Sequence, residues 1–195
     1  QKPTISVVTP TYNRASLLPR AWKSICRQEV SCEWVVVDDG SNDNTAEVIQ
    51  AFSDERIRFF PLPRNCGVNH ARNFGASQAR APYVVFLDSD DELYPGSLQM
   101  MVDTMCAAPA RIGAALFGCI AGHSGKQTSI MTDGLVLDEY AMVCGDALKG
   151  DMILIYRQDI LKRHRLPEDL RGCEGLFLLD IAKEYDFLMV DKPGS

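Results

Sequence analysis

The sequence predicts an α/β fold in which a mostly parallel central sheet is flanked by helices. Two observations predict it: short apolar runs recur at even spacing in the first half of the chain, and helix-like segments separate them. Each run is nearly all apolar rather than alternating, which is typical of strands buried on both faces. Regular alternation of strand and helix favours right-handed crossovers and parallel pairing. The predicted strands cover residues 5–8, 34–37, 57–60 and 83–87.

The segments between these strands have recognisable helix starts. Small polar residues cap the free amides of a first helical turn, and proline fits that turn because it has no amide to satisfy. We therefore expect four helices, each opening at one of these positions. The expected opening residues are Ser16, Asn44 or Thr45, Asn69 and Pro95.

The rhythm changes after about Arg111. "IGAALFGCI" indicates a strand, and "QTSIMTDGLVLDEY" indicates a hairpin that turns at Asp133-Gly134. A further strand is expected over 152–156, followed by the helices "RQDILKRH" and 175–185. Because no linker or repeat interrupts the chain, one domain, 1–195, is expected. Gln1 directly precedes one strand-like run and the chain stops just after another, which is the pattern of a piece trimmed from a longer protein.

Composition narrows the classes of protein. A net charge of -6 argues against a nucleic-acid partner. The seven cysteines form no C-x-x-C pair and lie away from the histidines, so zinc-ligand spacing is missing and buried free thiols are expected in a reducing, cytoplasmic compartment. No apolar run approaches a membrane span, and no signal segment is recognisable.

The chemistry is expected where the strands end. In open parallel sheets, ligands bind beyond the carboxyl ends of the strands, and here "TPTYNR", "DDGSND", "PLPRNCG" and "DSDDE" follow the first four strands. Turn formation accounts for the first acidic pair, Asp38-Asp39. It accounts poorly for the run from Asp88 to Glu92, because its four carboxylates within five positions repel one another unless a cation offsets them. Hard oxygen ligands favour Mg²⁺ or Mn²⁺ bridged to phosphates, so a metal-diphosphate ligand is predicted.

Three stretches in order carry a family resemblance: "ISVVTPTYNRASLLPRAWKSI", "EWVVVDDGSNDNTAEVI" and "NCGVNHARNFGASQARAPYVVFLDSDDELYPGSL". They resemble the family 2 glycosyltransferases of the GT-A fold, which are inverting enzymes that use nucleotide-sugar donors. The match is dense over 4–100 and sparse beyond. It implies a nucleotide-sugar-binding half, 1–110, and an acceptor-side half, 111–195.

The resemblance assigns roles to individual residues. Asp39 is implied to bind the base edge, usually of uracil, and Tyr12 to pack against the base. Asp88 and Asp90 are implied to hold the divalent cation, Mn²⁺ or Mg²⁺. The residues implied to bind the nucleotide sugar are Pro10, Thr11, Tyr12, Asp39, Arg72, Asp88 and Ser89.

An inverting transfer also needs a carboxylate base for the acceptor hydroxyl. The family places it before a late helix, often in a G-E-D type motif, and "RGCEG" here keeps one carboxylate, Glu174. Glu174 is therefore the expected catalytic base. A helix N-terminal glutamate is the structural alternative, and Asp151 or Glu168 takes the role if the alignment shifts.

Partners and competing functions remain open at this point. Family members act on glycan, lipid-linked or small-molecule acceptors, and peripheral association with the inner face of the membrane is compatible with the basic "KRHR" segment at 162–165. The oligomeric state is not predicted. A non-catalytic relative that binds nucleotide sugar or glycan is the alternative function. Aspartyl-phosphate phosphatases also use D-x-D, but they expect Thr or Val where this chain has Glu92.

Overall fold

The structure, a computed structural model, describes residues 2–122, 124–129, 131–144, 150–170 and 174–195, except the side chains of Cys144 and Glu174. Strands and helices alternate through most of this length. The strands are β1 (Ile5–Thr11), β2 (Cys32–Asp38), β3 (Ile57–Pro61), β4 (Tyr83–Phe86), β5 (Ile112–Gly118), β6 (Val136–Leu137), β7 (Met152–Arg157) and β8 (Asp186–Pro193). The helices are α1 (Leu18–Cys26), α2 (Thr45–Ala51), α3 (Val68–Gln78), α4 (Ser97–Ala107), α5 (Glu139–Cys144), α6 (Gln158–Arg163) and α7 (Glu174–Ala182).

Within the described residues the strands form one eight-stranded sheet in the order β3-β2-β1-β4-β7-β5-β8-β6. The first four strands pair in parallel, as the apolar runs predict. β7 pairs antiparallel with β4 and with β5, β5 pairs parallel with β8, and β6 pairs antiparallel with β8. The predicted class, α/β with a mostly parallel central sheet, is confirmed.

Apolar side chains cover both faces of this sheet. On one face, Trp22 of α1 stacks on Trp34 of β2 with ring centroids 5.2 Å apart. On the other face, α3 lies so close to β1 that a Cβ on Gly75 would come within 2.4 Å of Val8 Cγ1. Glycine therefore lets α3 pack directly against the sheet, which brings Arg72, one turn earlier, near the end of β4.

Three of the four expected helix openings are wrong by one or more residues. α1 begins at Leu18 and has no side-chain cap, so Ser16 does not cap it. α3 begins after Gly67 (φ 99°) and α4 begins after Gly96 (φ 77°). At both positions the backbone enters the helix through a positive φ, which favours glycine. The opening at Thr45 is confirmed.

The predicted hairpin in the second half is also wrong. The turn forms, since Leu135 N donates to Thr132 O at 3.2 Å and Gly134 has a φ of 75°. However, the strand that follows, β6, pairs with β8 instead of folding back on the residues before the turn. A long-range partner thus replaces the local one.

Two further expectations concern cysteines and the membrane. Of the cysteines whose side chains are described, Cys32 is buried, Cys66 and Cys119 are partly buried, and Cys26 and Cys106 are exposed; all five are free thiols. Burial is therefore confirmed only for Cys32. None of the helices in the described ranges has the length and apolar character needed to span a bilayer.

Candidate active site

The loops that follow β1, β2, β3 and β4 meet at one edge of the sheet, where they enclose a cavity of about 500 Å³. We call it the small cavity. It contains all but one of the residues expected to bind nucleotide or metal. Those that line it are Pro10, Thr11, Tyr12, Asp39, Asp88, Ser89 and Asp90. The parallel order of β1, β2 and β4 explains this convergence, since their carboxyl ends share one edge.

The Asp39 carboxylate is held rigidly in this cavity. Its Oδ1 accepts from Cys66 N and its Oδ2 from Gly67 N, each at 2.8 Å, and the residue is 3% exposed. Each carboxylate oxygen has a second lone pair, so the group retains acceptor capacity toward a ligand. Gly40 allows this arrangement, because it has a φ of 77° and a Cβ there would lie 2.6 Å from the Arg64 carbonyl carbon.

Tyr12 also lines this cavity. It is 42% exposed, while its neighbours Pro10 and Thr11 are buried within β1. The loop after Tyr12 is tied to the loop after β2, since Asn13 N donates to Ser41 Oγ at 2.8 Å and Asn42 N donates to Asn13 Oδ1 at 2.8 Å. An exposed aromatic ring on a fixed loop can stack against a planar ligand.

Arg72 is the expected binding residue that does not line the small cavity. Its Nη2 donates to Asp88 Oδ1 at 2.7 Å, and its side chain is 15% exposed. The guanidinium is thus placed beside the acid that lines the cavity, and it neutralises that acid.

Two arginines that sequence reasoning missed pair with Asp90 and Glu92 of the acidic run. Arg14 Nη1 lies 2.7 Å from Asp90 Oδ2, and Arg20 Nε lies 3.1 Å from Glu92 Oε1. Arg20 also donates to the backbone oxygen of Asp90. Arg14 belongs to "TPTYNR", a segment already expected at this edge of the sheet. A positive charge in that segment was the sequence signal that pointed to Arg14 as a partner for the acids. In the described structure, arginines therefore provide part of the charge offset that the sequence attributes to a metal.

Asp91 has no such arginine partner among the described contacts. Burial raises the pKa of its carboxyl, and the neighbouring charges of Asp88 and Asp90 raise it further. Its backbone amide donates to Asp88 O at 3.0 Å, which forms the turn in the acidic run. Asp91 therefore shapes the turn and also adds a carboxyl group to the acidic run at this edge of the sheet.

A second, larger cavity of about 1010 Å³ adjoins the small one, and we call it the large cavity. The two share Asp88 and Asp90. Its other walls come from the loop after the acidic run, including Tyr94, and from the second half of the chain, including Thr128 and Asp151. A ligand in the small cavity and another in the large one would therefore meet at the shared carboxylates.

The three candidates for the catalytic base occupy different positions. Glu174 is the first residue of α7, but its side chain lies outside the described part of the structure. Asp151 lines the large cavity. Glu168 instead accepts from Asn73 Nδ2 at 2.8 Å and lies 2.8 Å from His70 Nδ1; the hydrogen bond with His70, and then that from Asn73, lowers its carboxyl pKa. Glu168 thus joins α3 to the 166–170 segment and lines neither cavity.

The donor atoms fit a hard divalent cation only if a ligand completes its shell. In the parts of the chain that are described, no group of three or more His, Cys, Asp or Glu side chains could hold a metal ion. Asp88 and Asp90 supply two carboxylates to one cavity, and Mg²⁺ commonly uses one or two carboxylates together with substrate phosphates. The pair is therefore suited to a metal that arrives with a diphosphate.

Solved structures share this fold. S. aureus TarS, residues 1–349, superposes with a TM-score of 0.76 at 24% identity, over 98% of this chain and 59% of that one. A mannosyltransferase from Pyrobaculum calidifontis, solved with GDP-Man and Mn²⁺, gives a TM-score of 0.73 at 20% identity, over 99% of this chain and 55% of that one. The GT-A type of fold expected from the resemblance is thereby confirmed.

Sequence comparisons agree with the fold. The GalNAc(5)-diNAcBac-PP-undecaprenol beta-1,3-glucosyltransferase of Campylobacter jejuni is 31% identical over 95% of this chain and 62% of its own length. A putative teichuronic acid biosynthesis glycosyltransferase of Bacillus subtilis, TuaG, is 32% identical over 78% of this chain and 60% of its own. The chain thus spans about 60% of the length of these two relatives. A family model described as glycosyl transferase family 2 matches residues 6–145. Because that match covers more than half of the chain, the protein belongs to glycosyltransferase family 2.

Proposed function

We propose that the chain is the catalytic domain of an inverting glycosyltransferase. It would transfer a sugar from a nucleotide-diphosphate donor to an acceptor hydroxyl in the synthesis of cell-surface glycan or polysaccharide. One observation carries the proposal: the small cavity brings Tyr12, Asp39, Asp88 and Asp90 together at the carboxyl edge of β1, β2 and β4. The exposed ring of Tyr12 suits stacking on a nucleobase, and the buried Asp39 carboxylate suits a hydrogen bond from the polar edge of that base. The carboxylates of Asp88 and Asp90 suit a metal-bound diphosphate.

UDP is the donor nucleotide that we propose. The rigid Asp39 carboxylate presents an acceptor that matches an N–H on a base edge, as in uracil. TarS has been solved in complex with UDP and with UDP-GlcNAc, and this supports the assignment. GDP is the competing nucleotide, since the Pyrobaculum mannosyltransferase was solved with GDP-Man.

The reaction would proceed by direct displacement. An acceptor hydroxyl attacks the anomeric carbon from the face opposite the diphosphate, a new glycosidic bond forms, and the bond to the diphosphate breaks. The hydroxyl proton passes to a carboxylate base, for which Glu174 is the candidate. Arg72 and Arg14 lie beside Asp88 and Asp90, so they would reduce the repulsion between these carboxylates and the departing diphosphate. When bound at Asp88 and Asp90, Mn²⁺ or Mg²⁺ would supply Lewis-acid stabilisation of that leaving group.

The names of two relatives support a proposal for the acceptor class. The Campylobacter protein is named for a lipid-linked oligosaccharide and the Bacillus protein for teichuronic acid, so we propose a glycan or lipid-linked glycan acceptor. Such an acceptor would place the domain in the cytoplasm at the inner face of the membrane, in peripheral association.

Calorimetry with UDP, GDP, CDP and dTDP, each with and without Mn²⁺, tests the proposal. We expect UDP to bind most tightly and Mn²⁺ to strengthen its binding. Asp90→Asn should abolish the effect of Mn²⁺ on UDP binding, whereas Asp103→Asn, a carboxylate on α4 that lines neither cavity, should leave it intact. Binding that ignores Mn²⁺, or that favours another base over uracil, would overturn the assignment.

A further inference from the structure

A third cavity, of about 440 Å³, lies at the edge of the sheet opposite the small cavity, and we call it the basic pocket. Its walls come from the residues before β1, the residues before β4, and α6. The described residues that line it include three cations, Lys2, Arg80 and Lys162, and no carboxylate. We propose that the basic pocket binds a phosphate group, and that this group is the headgroup phosphate of an anionic lipid at a membrane surface.

The three cations have no counter-ion within the described part of the chain. The acids close to them in the fold or in the chain are engaged elsewhere. Glu33 accepts from Arg80 N at 2.7 Å, but its charge is paired with Arg58 at 3.1 Å. Asp159 lies 3.5 Å from Arg163. Like charges that share one pocket repel one another, and a bound anion would remove that repulsion.

Buried polar groups hold the backbone of the basic pocket in place. Ala81 N donates to Ser6 Oγ at 3.2 Å, and Ser6 Oγ donates to Glu33 Oε1 at 2.6 Å. Ser6 is fully buried and Glu33 is 4% exposed. Gln158 N donates to Pro82 O at 2.9 Å, which joins α6 to the same loop. The backbone that carries the cations is therefore fixed before a ligand arrives, and this lowers the entropic cost of binding.

The structure divides the basic segment at 162–165, which is the signal for membrane contact that the sequence offers. Arg163 lies 3.3 Å from Glu184. His164 is 6% exposed, with its Nδ1 2.8 Å from Asp180. Lys162, by contrast, joins cations from two distant parts of the chain in the basic pocket. The cationic surface is thus assembled by the fold and is not a property of one contiguous segment.

A lipid source for the phosphate rests on the proposed function, which locates the domain at the inner face of a membrane. The negative surface potential of that face attracts clustered lysine and arginine. The chain as a whole has a net charge of -6, so a local basic pocket would set the orientation of binding. β1 has seven residues and spans about 20 Å between the basic pocket and the small cavity. The acidic edge would therefore point away from the lipid surface.

Sedimentation with vesicles tests the inference, using phosphatidylcholine with and without phosphatidylglycerol. We expect the parent chain to bind only the vesicles that contain phosphatidylglycerol, and salt to weaken this binding. Each basic residue near an anionic surface contributes about fivefold, so Arg80→Gln/Lys162→Gln should weaken binding about 25-fold. Both replaced side chains are exposed, so the melting temperature should not change.

The matched control is Lys23→Gln/Lys126→Gln, which removes two exposed cations that line none of the three cavities. Its vesicle affinity should stay within about twofold of the parent value, because charges far from the lipid surface are screened. Calorimetry with inorganic phosphate and with sn-glycerol 3-phosphate provides the arm for a soluble source. Binding of either compound to the basic pocket without vesicle binding would overturn the lipid assignment.

The inference is also overturned if the two double variants bind vesicles equally, or if phosphatidylcholine alone binds as well as the anionic mixture. UDP affinity in the presence of Mn²⁺ should be the same with and without vesicles, because the small cavity would face away from them. Competition between vesicles and UDP would contradict that orientation. A parent chain that binds vesicles but not UDP would contradict the proposed function and leave the comparison of the double variants readable.

Discussion

Arg14 and Asp90 both line the small cavity and form an ion pair there, with Arg14 Nη1 2.7 Å from Asp90 Oδ2. The two residues are 76 positions apart in the chain, and their side chains are 47% and 51% exposed. Asp90 is one of the two residues that we propose as metal ligands. The guanidinium thus neutralises a carboxylate whose negative charge would attract a divalent cation, so arginine and metal compete for one acid.

This competition predicts that Arg14→Met strengthens the binding of Mn²⁺ to the nucleotide-free chain. Exposed ion pairs contribute up to about 1 kcal/mol, so the gain should be at most about fivefold. Electron paramagnetic resonance of free Mn²⁺ measures it directly. Arg111→Met is the control, because Arg111 pairs with Asp186 instead. An unchanged Mn²⁺ affinity in Arg14→Met would show that the pair does not restrict the metal.

Asp39→Asn should lose both stability and UDP affinity. An amide side chain would set one N–H donor against the backbone amide of Cys66 or Gly67, and an unsatisfied donor costs about 1–3 kcal/mol. The free energy of unfolding from urea titration and the dissociation constant for UDP measure the two effects. Asp38→Asn is the matched control: Asp38 Oδ1 accepts from Ser41 N at 3.0 Å, a bond that an asparagine oxygen can keep, and Asp38 does not line the small cavity. Equal UDP affinity in both variants would contradict the role of Asp39.

Glu174→Gln should abolish sugar transfer and leave UDP binding intact, because the substitution removes the basic oxygen without removing the side chain. The parallel variant Asp151→Asn tests the alternative base, which lines the large cavity. Measurement of turnover and of UDP affinity for both variants decides between them. If neither loses turnover, the base lies elsewhere; if the parent chain binds UDP but transfers no sugar, the non-catalytic alternative is supported.

Gly40→Ala should destabilise the fold by about 2–4 kcal/mol, since it combines a strained positive φ with overpacking. A Cβ there would lie 2.6 Å from the Arg64 carbonyl carbon. Gly134→Ala isolates the first cost, because Gly134 has a φ of 75° but nothing within 4 Å of its added Cβ. Urea unfolding of both variants should therefore show a clearly larger loss for Gly40→Ala. Equal losses would mean that the loop near Arg64 yields easily.

Glu168 predicts a pH dependence of stability. Its folded-state pKa is lowered, chiefly by the hydrogen bond with His70 and then by that from Asn73. A carboxyl with a depressed pKa stabilises the fold above its unfolded pKa of about 4.3, and this contribution is lost as the pH falls through the folded value. The difference in free energy of unfolding between the parent chain and Glu168→Gln should therefore be largest at neutral pH and should shrink below about pH 4.5. Asp169→Asn, which removes an adjacent exposed carboxylate, controls for the loss of one negative charge.

Much of the fold was predictable because its signals are local. The runs that became β1 and β2 are buried along their whole length, and their apolar pattern depends only on neighbouring residues. Helix openings were predicted less well. α3 and α4 follow Gly67 and Gly96, which start a helix through a positive φ and not through a polar side-chain cap. The predicted hairpin at Asp133-Gly134 is wrong for a different reason. β6 pairs with β8, about fifty positions away, and local sequence does not specify such a long-range pairing.

The sequence by itself determined the positions of the first four strands to within a few residues, which acids follow them, and the family to which those motifs belong. It did so because strand periodicity, turn residues and short motifs are properties of contiguous residues. Only the tertiary structure decided how the acids are neutralised, through Arg14 on Asp90 and Arg72 on Asp88. These contacts depend on the order of the strands and on the packing of α1 and α3 against them, which no local pattern specifies.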